Sequence, residues 1–511
     1  MTQNASSEDG GEATGIGRYV PLLVYVIVIL TLLCIPLKII SYGYLPRDDA
    51  LRHAAKAVSG KPWSEILVLA PWYKVDHNVG WHGFLRQIYL WTHCSTETLV
   101  VISVVGLFTL LAWSAIPWLK RPEAWLATLI IFDITTQLLG RYTLGRPFLI
   151  SIAVLVTLLF AWKIRGPSPP GWGFGVLLTL LITVAIYVHG VWYLWLMPIA
   201  AFVLARQFRW AFVLSASWVV GTILGASLTG HPIEYIVEAI EMAFKALGMH
   251  LSQRTLAGEF QPFLGDFPAV MVFGGLLVLR RLAGLQTRPL NRDPVFWLAC
   301  MCWVLGFKAI RFWSDWGWPA LLVLIACDLQ SFIEAHFSIQ SVKRLALTAG
   351  LAVTAFLATT NDVSSRWTES LNYTYLTKDN PEVAGWLPDK GGILYSSQMS
   401  VFYRTFFKNP HGDWRYILGY EPVIMPPEDF KTYDRILWNF YDYKAYQPWV
   451  DKMRPQDRLV IFGSKGDRPA IPELEWKYPV SGIWVGRLPR TNSVPTNAAP
   501  NPAAPANGTP R

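Results

Sequence analysis

Long apolar segments recur along this chain and constrain its fold more than any other feature. They lie at residues 20–40, 97–117, 123–139, 145–162, 172–188, 190–205, 210–228, 267–284, 294–307, 315–333 and 345–360. A segment that crosses a bilayer must satisfy its own backbone hydrogen bonds, as a helix does. Hydrophobic residues make up 53% of the chain and charged residues 15%, which excludes an ordinary soluble protein. We therefore predict a polytopic α-helical membrane protein with about 11 transmembrane helices, each near the ~20 residues that a span needs.

Every second connection between these segments is short and basic. These connections carry Lys120, Arg121, Lys163, Arg165, Arg206, Arg209, Arg280, Arg281, Arg288, Arg292, Lys343 and Arg344. Short positive loops stay in the cytoplasm. The pattern predicts an integral protein of a bacterial-type inner or plasma membrane, with a cytoplasmic N-terminus and an extracytoplasmic C-terminal part. The net charge of +9 follows from these loops and does not indicate a nucleic-acid partner.

Composition divides the chain into four parts. Residues 1–18 are polar and predict a disordered cytoplasmic N-terminus, and residues 19–360 form the transmembrane domain with external loops at 41–95 and 229–265. The second loop contains an amphipathic helix at Pro232–Phe244. Glycine-bounded strand-like runs between residues 361 and 490 predict a small extracytoplasmic α/β domain. Residues 491–511 are rich in Pro, Ala and Asn and predict a disordered tail.

Two adjacent acids, Asp48 and Asp49, follow the first apolar segment. Carboxylates at the end of a membrane helix are unfavourable unless water, a cation or a substrate meets them. Pro46 suits the first turn of a short helix, on which Asp49 and His53 would share a face. The pair is either a catalytic carboxylate at the membrane surface or an exposed helix start that stops translocation.

Cations and a histidine occupy other connections on the predicted outer side. They are Arg141 and Arg146, His189, and Lys308 with Arg311. Lys308 and Arg311 are three residues apart, which predicts one helical face, and such cations suit a phosphate head group. The alternatives are loop anchors, a hydrogen-bonded histidine at a helix end, and snorkelling toward lipid phosphates.

The first external loop holds a second polar cluster of Asp76, His77 and His82. A divalent cation there is an alternative, but the spacing matches no recognised ligand motif. No cofactor is required by the sequence, and no nucleotide-binding motif is present.

A carboxylate facing a phosphate clamp indicates attack by an acceptor on a polyprenyl-phosphate sugar. The leaving group is already a phosphate, so the reaction needs a base near the acceptor and positive charge at the departing phosphate.

Several motifs in this order resemble the GT-C superfamily of integral-membrane glycosyltransferases, nearest to the protein O-mannosyltransferase and aminoarabinose-transferase type. The resemblance covers about residues 20–490 and comprises Asp48-Asp49 with Arg52-His53, Arg146-Pro147, His189-Gly190, Arg311-Phe312 with Pro319, Phe406-Phe407-Lys408-Asn409-Pro410, and Gly419-Tyr420-Glu421-Pro422. The second acid is Asp here, whereas the mannosyltransferases usually have Glu.

The resemblance implies an inverting transferase that moves a sugar from a polyprenyl-phosphate donor to a glycan, lipid or protein acceptor. Asp48 or Asp49 would be the base or would hold a cation near the acceptor, with Asp48 favoured as the first acid. The implied donor-phosphate residues are Arg146, His189, Lys308 and Arg311, and the further substrate-loop candidates are His53, Asp76, His77, His82 and Arg141. The competing hypotheses are a transporter or flippase of lipid-linked sugars and a non-enzymatic envelope assembly protein.

Overall fold

A computed structural model describes residues 15, 17–135, 138–246, 261–262, 267–282, 284 and 289–489. The predicted disordered tail at 491–511 and nearly all of the predicted N-terminal segment 1–18 lie outside these residues, as does much of loop 229–265. The described chain is mostly helical and carries one small sheet near its C-terminus.

The helices of the predicted transmembrane domain follow the apolar segments. Their bounds are Val20–Ser41, Asp49–Ser59, Trp63–Ile66, Val79–Thr92, Thr96–Ser114, Glu123–Thr135, Leu138–Tyr142, Phe148–Arg165, Trp172–Val188, Leu196–Leu204, Phe208–Ser227, Pro232–Ala246, Phe267–Leu282, Pro294–Gly306, Ile310–Phe312, Trp318–His336 and Val342–Thr360, and a π-helical turn at Trp313–Gly317 joins two of them.

Six helical stretches in the described part of the chain are long and apolar enough to cross a membrane. They are Gly17–Ser41, Thr96–Trp118, Phe148–Arg165, Phe208–Ser227, Ile310–His336 and Val342–Thr360, and four shorter apolar helices accompany them at Trp172–Val188, Trp192–Leu204, Val270–Arg280 and Pro294–Gly306. The chain is thus a membrane-embedded helical protein. The predicted span 123–139 corresponds to two helices, Glu123–Thr135 and Leu138–Tyr142, the longer of which has 13 residues.

The start of the last-but-one long helix differs from the prediction. The connection between the predicted segments 294–307 and 315–333 was expected to lie outside the membrane-crossing helices, but the long helical stretch already begins at Ile310. Ala309 before it has an extended backbone. Lys308 therefore lies outside the helix, and the prediction that Lys308 and Arg311 share a helical face is wrong.

A short helix follows the acidic pair, as predicted, but it begins later than expected. It runs from Asp49 to Ser59, with Asp48 as the N-cap residue and Gly60 as a left-handed C-cap. Pro46 precedes the helix and is not in its first turn. The Asp48 carboxylate accepts a hydrogen bond from the Asp49 backbone N–H at 2.6 Å, and such a cap stabilises a helix start.

The C-terminal unit is a small α/β fold. Its strands are β1 (Ile393–Ser396), β2 (Arg415–Tyr416), β3 (Arg458–Phe462), β4 (Glu475–Val480) and β5 (Ile483–Arg487), in the order β2-β1-β3-β5-β4. The pairs β1–β2 and β1–β3 are parallel, whereas β3–β5 and β4–β5 are antiparallel. Helices Pro381–Ala384, Met399–Lys408, Pro427–Trp438 and Gln447–Val450 surround the sheet.

This α/β unit docks on the first predicted external loop. The Val68 N–H donates to the Tyr416 carbonyl at 3.0 Å, and the Ala70 N–H donates to the Ile424 carbonyl at 2.8 Å. Tyr73 and Tyr420 share a buried hydroxyl–hydroxyl contact. The α/β unit therefore packs directly against the first predicted external loop.

Basic residues at the predicted cytoplasmic side form ion pairs with acidic residues of other segments. Arg344 pairs with Glu123 at 2.6 Å, with both side chains fully buried, and Arg280 pairs with Asp328 at 3.0 Å. Lys163 pairs with Asp293. These pairs connect residues at or near one predicted end of neighbouring helices, which keeps that end of the helices together.

Candidate functional site

One cleft lies where the first loop, the predicted outer helix ends and the α/β unit meet. It contains about 800 Å³ of empty space, which includes the open solvent at its mouth. The lining includes Asp49, Arg52, His53, His77, Asn78, Arg146, Phe148, His189, Tyr193, Ala239, Met242, Ala243, Arg311, Tyr420 and Glu421. Six of the predicted site residues are therefore brought to one wall or another of this cleft: Asp49, His53, His77, Arg146, His189 and Arg311.

The two acids have different surroundings. Asp48 receives two contacts from the Arg146 guanidinium, from Nε at 3.1 Å and from Nη2 at 2.5 Å, and it does not line the cleft. Asp49 does line it, and Arg146 Nε lies 3.4 Å from the Asp49 Oδ2. Arg146 is thus a link between the acids, and a donor phosphate would have to compete with them for it.

Arg52 holds the second oxygen of Asp49. Its Nε donates to Asp49 Oδ1 at 2.6 Å, and its guanidinium carbon lies 3.9 Å from the centre of the Tyr420 ring. Burial favours a neutral Asp49, but Arg146 and then Arg52 outweigh burial and hold the pKa of Asp49 well below its usual range. Asp49 is consequently a fixed negative charge at neutral pH.

The predicted phosphate residues Arg311 and His189 lie together, whereas Arg146 contacts the two acids. Arg311 Nη2 lies 3.3 Å from His189 Nε2, and Arg311 Nε lies 3.4 Å from Asp315 Oδ2. The other oxygen of Asp315 is contacted by Arg141 at 2.5 Å, so Arg141 supports Arg311 through a shared carboxylate. Lys308 is exposed and does not line the cleft.

Behind Asp49, three polar side chains form a continuous row. His53 Nδ1 lies 2.7 Å from His82 Nε2, and His82 Nδ1 lies 2.6 Å from Asp76 Oδ2. Burial is the main cause that lowers the pKa of both histidines. His53 lines the cleft, so this row connects the cleft to a carboxylate deeper in the first loop.

His77 lies beside that row in a different environment. It is buried, and neither ring nitrogen has a hydrogen-bond partner among the described residues. Its Nε2 lies 4.0 Å from Glu238, and burial lowers the pKa of His77 to about 4. A neutral imidazole that lines a cleft without a partner is suited to hydrogen bonding with a polar ligand.

The helix Pro232–Ala246 covers the cleft. Ala239, Met242 and Ala243 line the cleft, and Glu238 accepts hydrogen bonds from the backbone N–H groups of Lys74 and Val75 at 3.1 and 3.0 Å. The opposite side of the helix exposes apolar residues: Ile233, Val237 and Phe244. The predicted amphipathic helix is confirmed, and its polar contacts fasten it over the first loop.

An apolar hollow continues from the cationic end of the cleft. It shares Phe148, His189, Val191 and Arg311 with the cleft, and it extends along Ser151, Ile152, Leu155, Leu194, Asp315 and Trp316. The hollow is small, about 250 Å³ including open solvent, and a charged ligand group at Arg311 would have mostly apolar side chains beside it.

No protein-family model matches this sequence, and no curated protein matches it. The geometry of the cleft alone must therefore indicate what this site can do.

Arg52, Tyr420 and Glu421 are among the cleft residues that were not predicted as site residues. All three lie within motifs that carried the family resemblance. The i, i+3 spacing of Asp49 and Arg52 was a signal for their ion pair. Nothing in the sequence indicated that Tyr420 of the α/β unit stacks on Arg52.

A metal site is not assembled in the first loop. Among the residues that the structure describes, no group of three or more His, Cys, Asp or Glu side chains is placed to hold a metal ion. Asp76 and His82 instead contact each other. The arrangement can bind an anionic group at one end and a neutral polar group at the other, with Asp49 between them.

Proposed function

We propose that this protein is an inverting glycosyltransferase that moves a sugar from a polyprenyl-phosphate donor to an acceptor at the extracytoplasmic side of the membrane, with a GT-C-like fold. The supporting observation is the meeting of Asp49, His189 and Arg311 in one cleft with an adjoining apolar hollow. These residues are far apart in the sequence, and the proposed reaction needs all of these features together.

In the proposed reaction the donor phosphate binds at Arg311 and His189. The guanidinium offers charge-assisted hydrogen bonds to a phosphate, and the apolar side chains of the adjoining hollow would contact the start of the polyprenyl chain. Arg141 keeps Arg311 in position through Asp315. Positive charge at this point stabilises the phosphate that departs with the electrons of the broken sugar–oxygen bond.

In the proposed reaction Asp49 lies beside the acceptor and the anomeric carbon of the sugar. Of the two predicted acids it is the one that lines the cleft, and two arginines keep it ionised. A fixed carboxylate here can accept a hydrogen bond from the acceptor hydroxyl and can stabilise positive charge that develops on the sugar ring. Asp48 maintains the helix start and the position of Arg146.

The proposed arrangement includes about eleven membrane-crossing segments, several of them shorter than the ~20 residues of a full span, with the N-terminus in the cytoplasm. Two separate sets of contacts support it. One set joins the basic connections, as in Arg344–Glu123 and Arg280–Asp328. The other set joins the acidic first loop to residues 146, 190 and 238.

The donor class is tested with purified full-length protein and labelled polyprenyl-phosphate-linked hexoses, pentoses and amino sugars. We expect release of polyprenyl phosphate from at least one donor, by transfer or by hydrolysis. Arg311→Gln should weaken binding of that donor and lower its turnover, whereas Lys308→Gln, an equivalent change outside the cleft, should leave both unchanged. A protein that neither binds nor consumes any donor contradicts the proposal. Movement of an intact donor across the bilayer would instead favour the transporter hypothesis.

A further inference from the structure

The row formed by His53, His82 and Asp76 has no role in the reaction as proposed above. Each side chain of the row lies within hydrogen-bond distance of the next. The distance is 2.7 Å between the two imidazoles and 2.6 Å from His82 to the carboxylate. His53 and His82 are 1% and 6% exposed. A buried polar row of this length persists only if each member is hydrogen bonded in a defined direction.

The hydrogen-bond partners define the tautomers of both histidines. Burial raises the pKa of Asp76, but His82 and Lys56 outweigh burial and hold that pKa below its usual range. The ionised carboxylate therefore accepts the proton on His82 Nδ1. A neutral His82 then has its lone pair on Nε2 and accepts from His53 Nδ1. The remaining nitrogen, His53 Nε2, therefore carries a lone pair, and it has no hydrogen-bond partner among the described residues.

Asp76 itself is fixed. Its second oxygen, Oδ1, accepts the backbone N–H of Asn78 at 2.9 Å. Carboxylate, imidazole and imidazole are thus arranged as in sites where a buried acid orients a catalytic base. The order of the row places the carboxylate at one end and His53, which lines the cleft, at the other.

Asp49 is a poor destination for a proton. Arg52 and Arg146 each contact it, and protonation would leave two guanidinium groups without their shared counter-charge. The acceptor hydroxyl must nevertheless lose its proton when its oxygen bonds to the sugar. His53 lies one helical turn after Asp49 on the same face.

We propose that His53, His82 and Asp76 form a proton relay that receives the acceptor's proton during glycosyl transfer; the inference rests on the proposed function. The acceptor oxygen forms a bond to the anomeric carbon, and the bond from that carbon to the phosphate oxygen breaks with its electron pair. The acceptor proton moves to His53 Nε2. The Nδ1 proton of His53 shifts toward His82, and the Asp76 carboxylate stabilises the positive charge. The proton leaves to water after product release.

Other charged groups near the relay affect how readily its two histidines are protonated. Arg52 and Lys56 oppose protonation of the histidines, whereas Asp49 and Asp76 favour it. Tyr73, Tyr403 and Tyr420 are buried nearby, and burial raises the pKa of each, so they remain neutral at physiological pH. Among the residues that the structure describes, Asp49 and Asp76 are the negative charges that most favour protonation of His53.

The test uses full-length protein and the panel donor that the wild type consumes, with turnover measured from pH 8 down to the lowest pH at which the protein stays folded, because burial lowers the pKa of both histidines. His53→Gln should lower kcat by about 10²- to 10⁴-fold, as expected for loss of a general base, and should remove the decline of kcat at low pH. Asp76→Asn should move that decline to lower pH, because removal of the carboxylate lowers the pKa of both histidines. The donor KM should change little in both variants. His231→Gln, a change at an exposed histidine outside the cleft, is the control.

Nuclear magnetic resonance of [15N]histidine-labelled protein gives a second readout that does not need turnover. We expect a strongly downfield imidazole proton from His82 Nδ1–H that disappears in Asp76→Asn. Its absence from the wild type overturns the relay. Wild-type kcat in His53→Gln, or a uniform loss in Asp76→Asn with no movement of the pH profile, also overturns it while leaving the glycosyltransferase proposal intact. Failure of the wild type to bind or consume any donor overturns the proposed function, and with it the relay's role in transfer.

Discussion

Asp48 and Asp49 are neighbours in the chain but differ in what they contact. Asp48 caps the helix and meets Arg146, whereas Asp49 lies in the first helical turn and faces the cleft. The sequence predicted an acidic pair and the resemblance favoured the first member. The start of the helix determines which carboxylate reaches the cleft, and the helix begins at Asp49, three residues after Pro46.

Substitution of each acid by Asn separates their roles. Asp49→Asn should lower kcat by about 10²-fold or more, because a fixed charge near the reacting carbon is lost. Asp48→Asn should have a smaller effect on kcat, because Asn also caps helices well, and a larger effect on thermal stability through loss of the Arg146 pair. Turnover and unfolding temperature should be measured for both. A larger loss of kcat in Asp48→Asn would contradict the assignment of Asp49.

His77 predicts a pH dependence of stability. Burial holds its pKa at about 4 in the folded protein, against an ordinary value of 6.5. Between these values the unfolded chain binds a proton that the folded protein does not, so stability falls as the pH is lowered, by up to about 1.4 kcal/mol per pH unit.

The comparison of wild type with His77→Gln isolates this effect, because His53 and His82 are present in both. Thermal unfolding in detergent at pH 7 and pH 5 should show a larger decrease for the wild type. An equal decrease in the two proteins would show that His77 is protonated in the folded state.

Gly190 connects the Trp172–Val188 helix to the residues that line the cleft. Its N–H donates to the His77 carbonyl at 2.9 Å. A methyl group at this position would lie 3.1 Å from the His77 Cβ and 3.1 Å from the Tyr235 hydroxyl. The absence of a side chain therefore allows the first loop, the turn and the covering helix to meet beside His189.

Gly190→Ala should displace His189 and lower kcat/KM by about 10- to 100-fold, since small misplacements in a site have effects of this size. Gly171→Ala is the matched control at the other end of the helix, where an added methyl meets no atom within 4 Å. Both variants should be assayed with the same donor. Unchanged activity in Gly190→Ala would show that the close approach at this turn does not position the site.

Elements with a strong internal pattern were predictable from the sequence. The covering helix was expected at Pro232–Phe244 and is present at Pro232–Ala246, because its apolar periodicity is local. The two-residue strand Arg415–Tyr416 was not expected, because it exists only through pairing with β1. The helix start at Ile310 was also missed, since an extended Ala309 between two helices has no signal in its neighbours.

The cleft is assembled from contacts that join distant parts of the chain. His189 and Arg311 meet across 122 positions, and Asp48 meets Arg146 across 98 positions. The sequence predicted these residues as site candidates because they all lie on the same predicted side of the membrane. It could not predict the His53–His82 contact or the stacking of Arg52 on Tyr420, because both depend on how the first loop folds and on where the α/β unit docks.

The proposed orientation predicts which surfaces face the outside. In a variant without the five native cysteines, Lys465→Cys in the α/β unit should react with a membrane-impermeant maleimide on intact cells. Ser338→Cys, in the connection after the helix Trp318–His336, should react only after the membrane is opened. Both positions are exposed in the structure. Equal labelling of Ser338→Cys on intact cells would contradict the orientation.

The most direct measurement is an electron cryomicroscopy structure of the full-length protein with added undecaprenyl phosphate, the part common to donors of this lipid class. We expect the phosphate between Arg311 and His189, with the first isoprene units beside Ile152, Leu155 and Leu194. Asp49 should remain in the cleft on the side where the sugar would be attached. A lipid phosphate bound outside the cleft, with Arg311 and His189 unoccupied at saturating lipid, would contradict the proposed reaction.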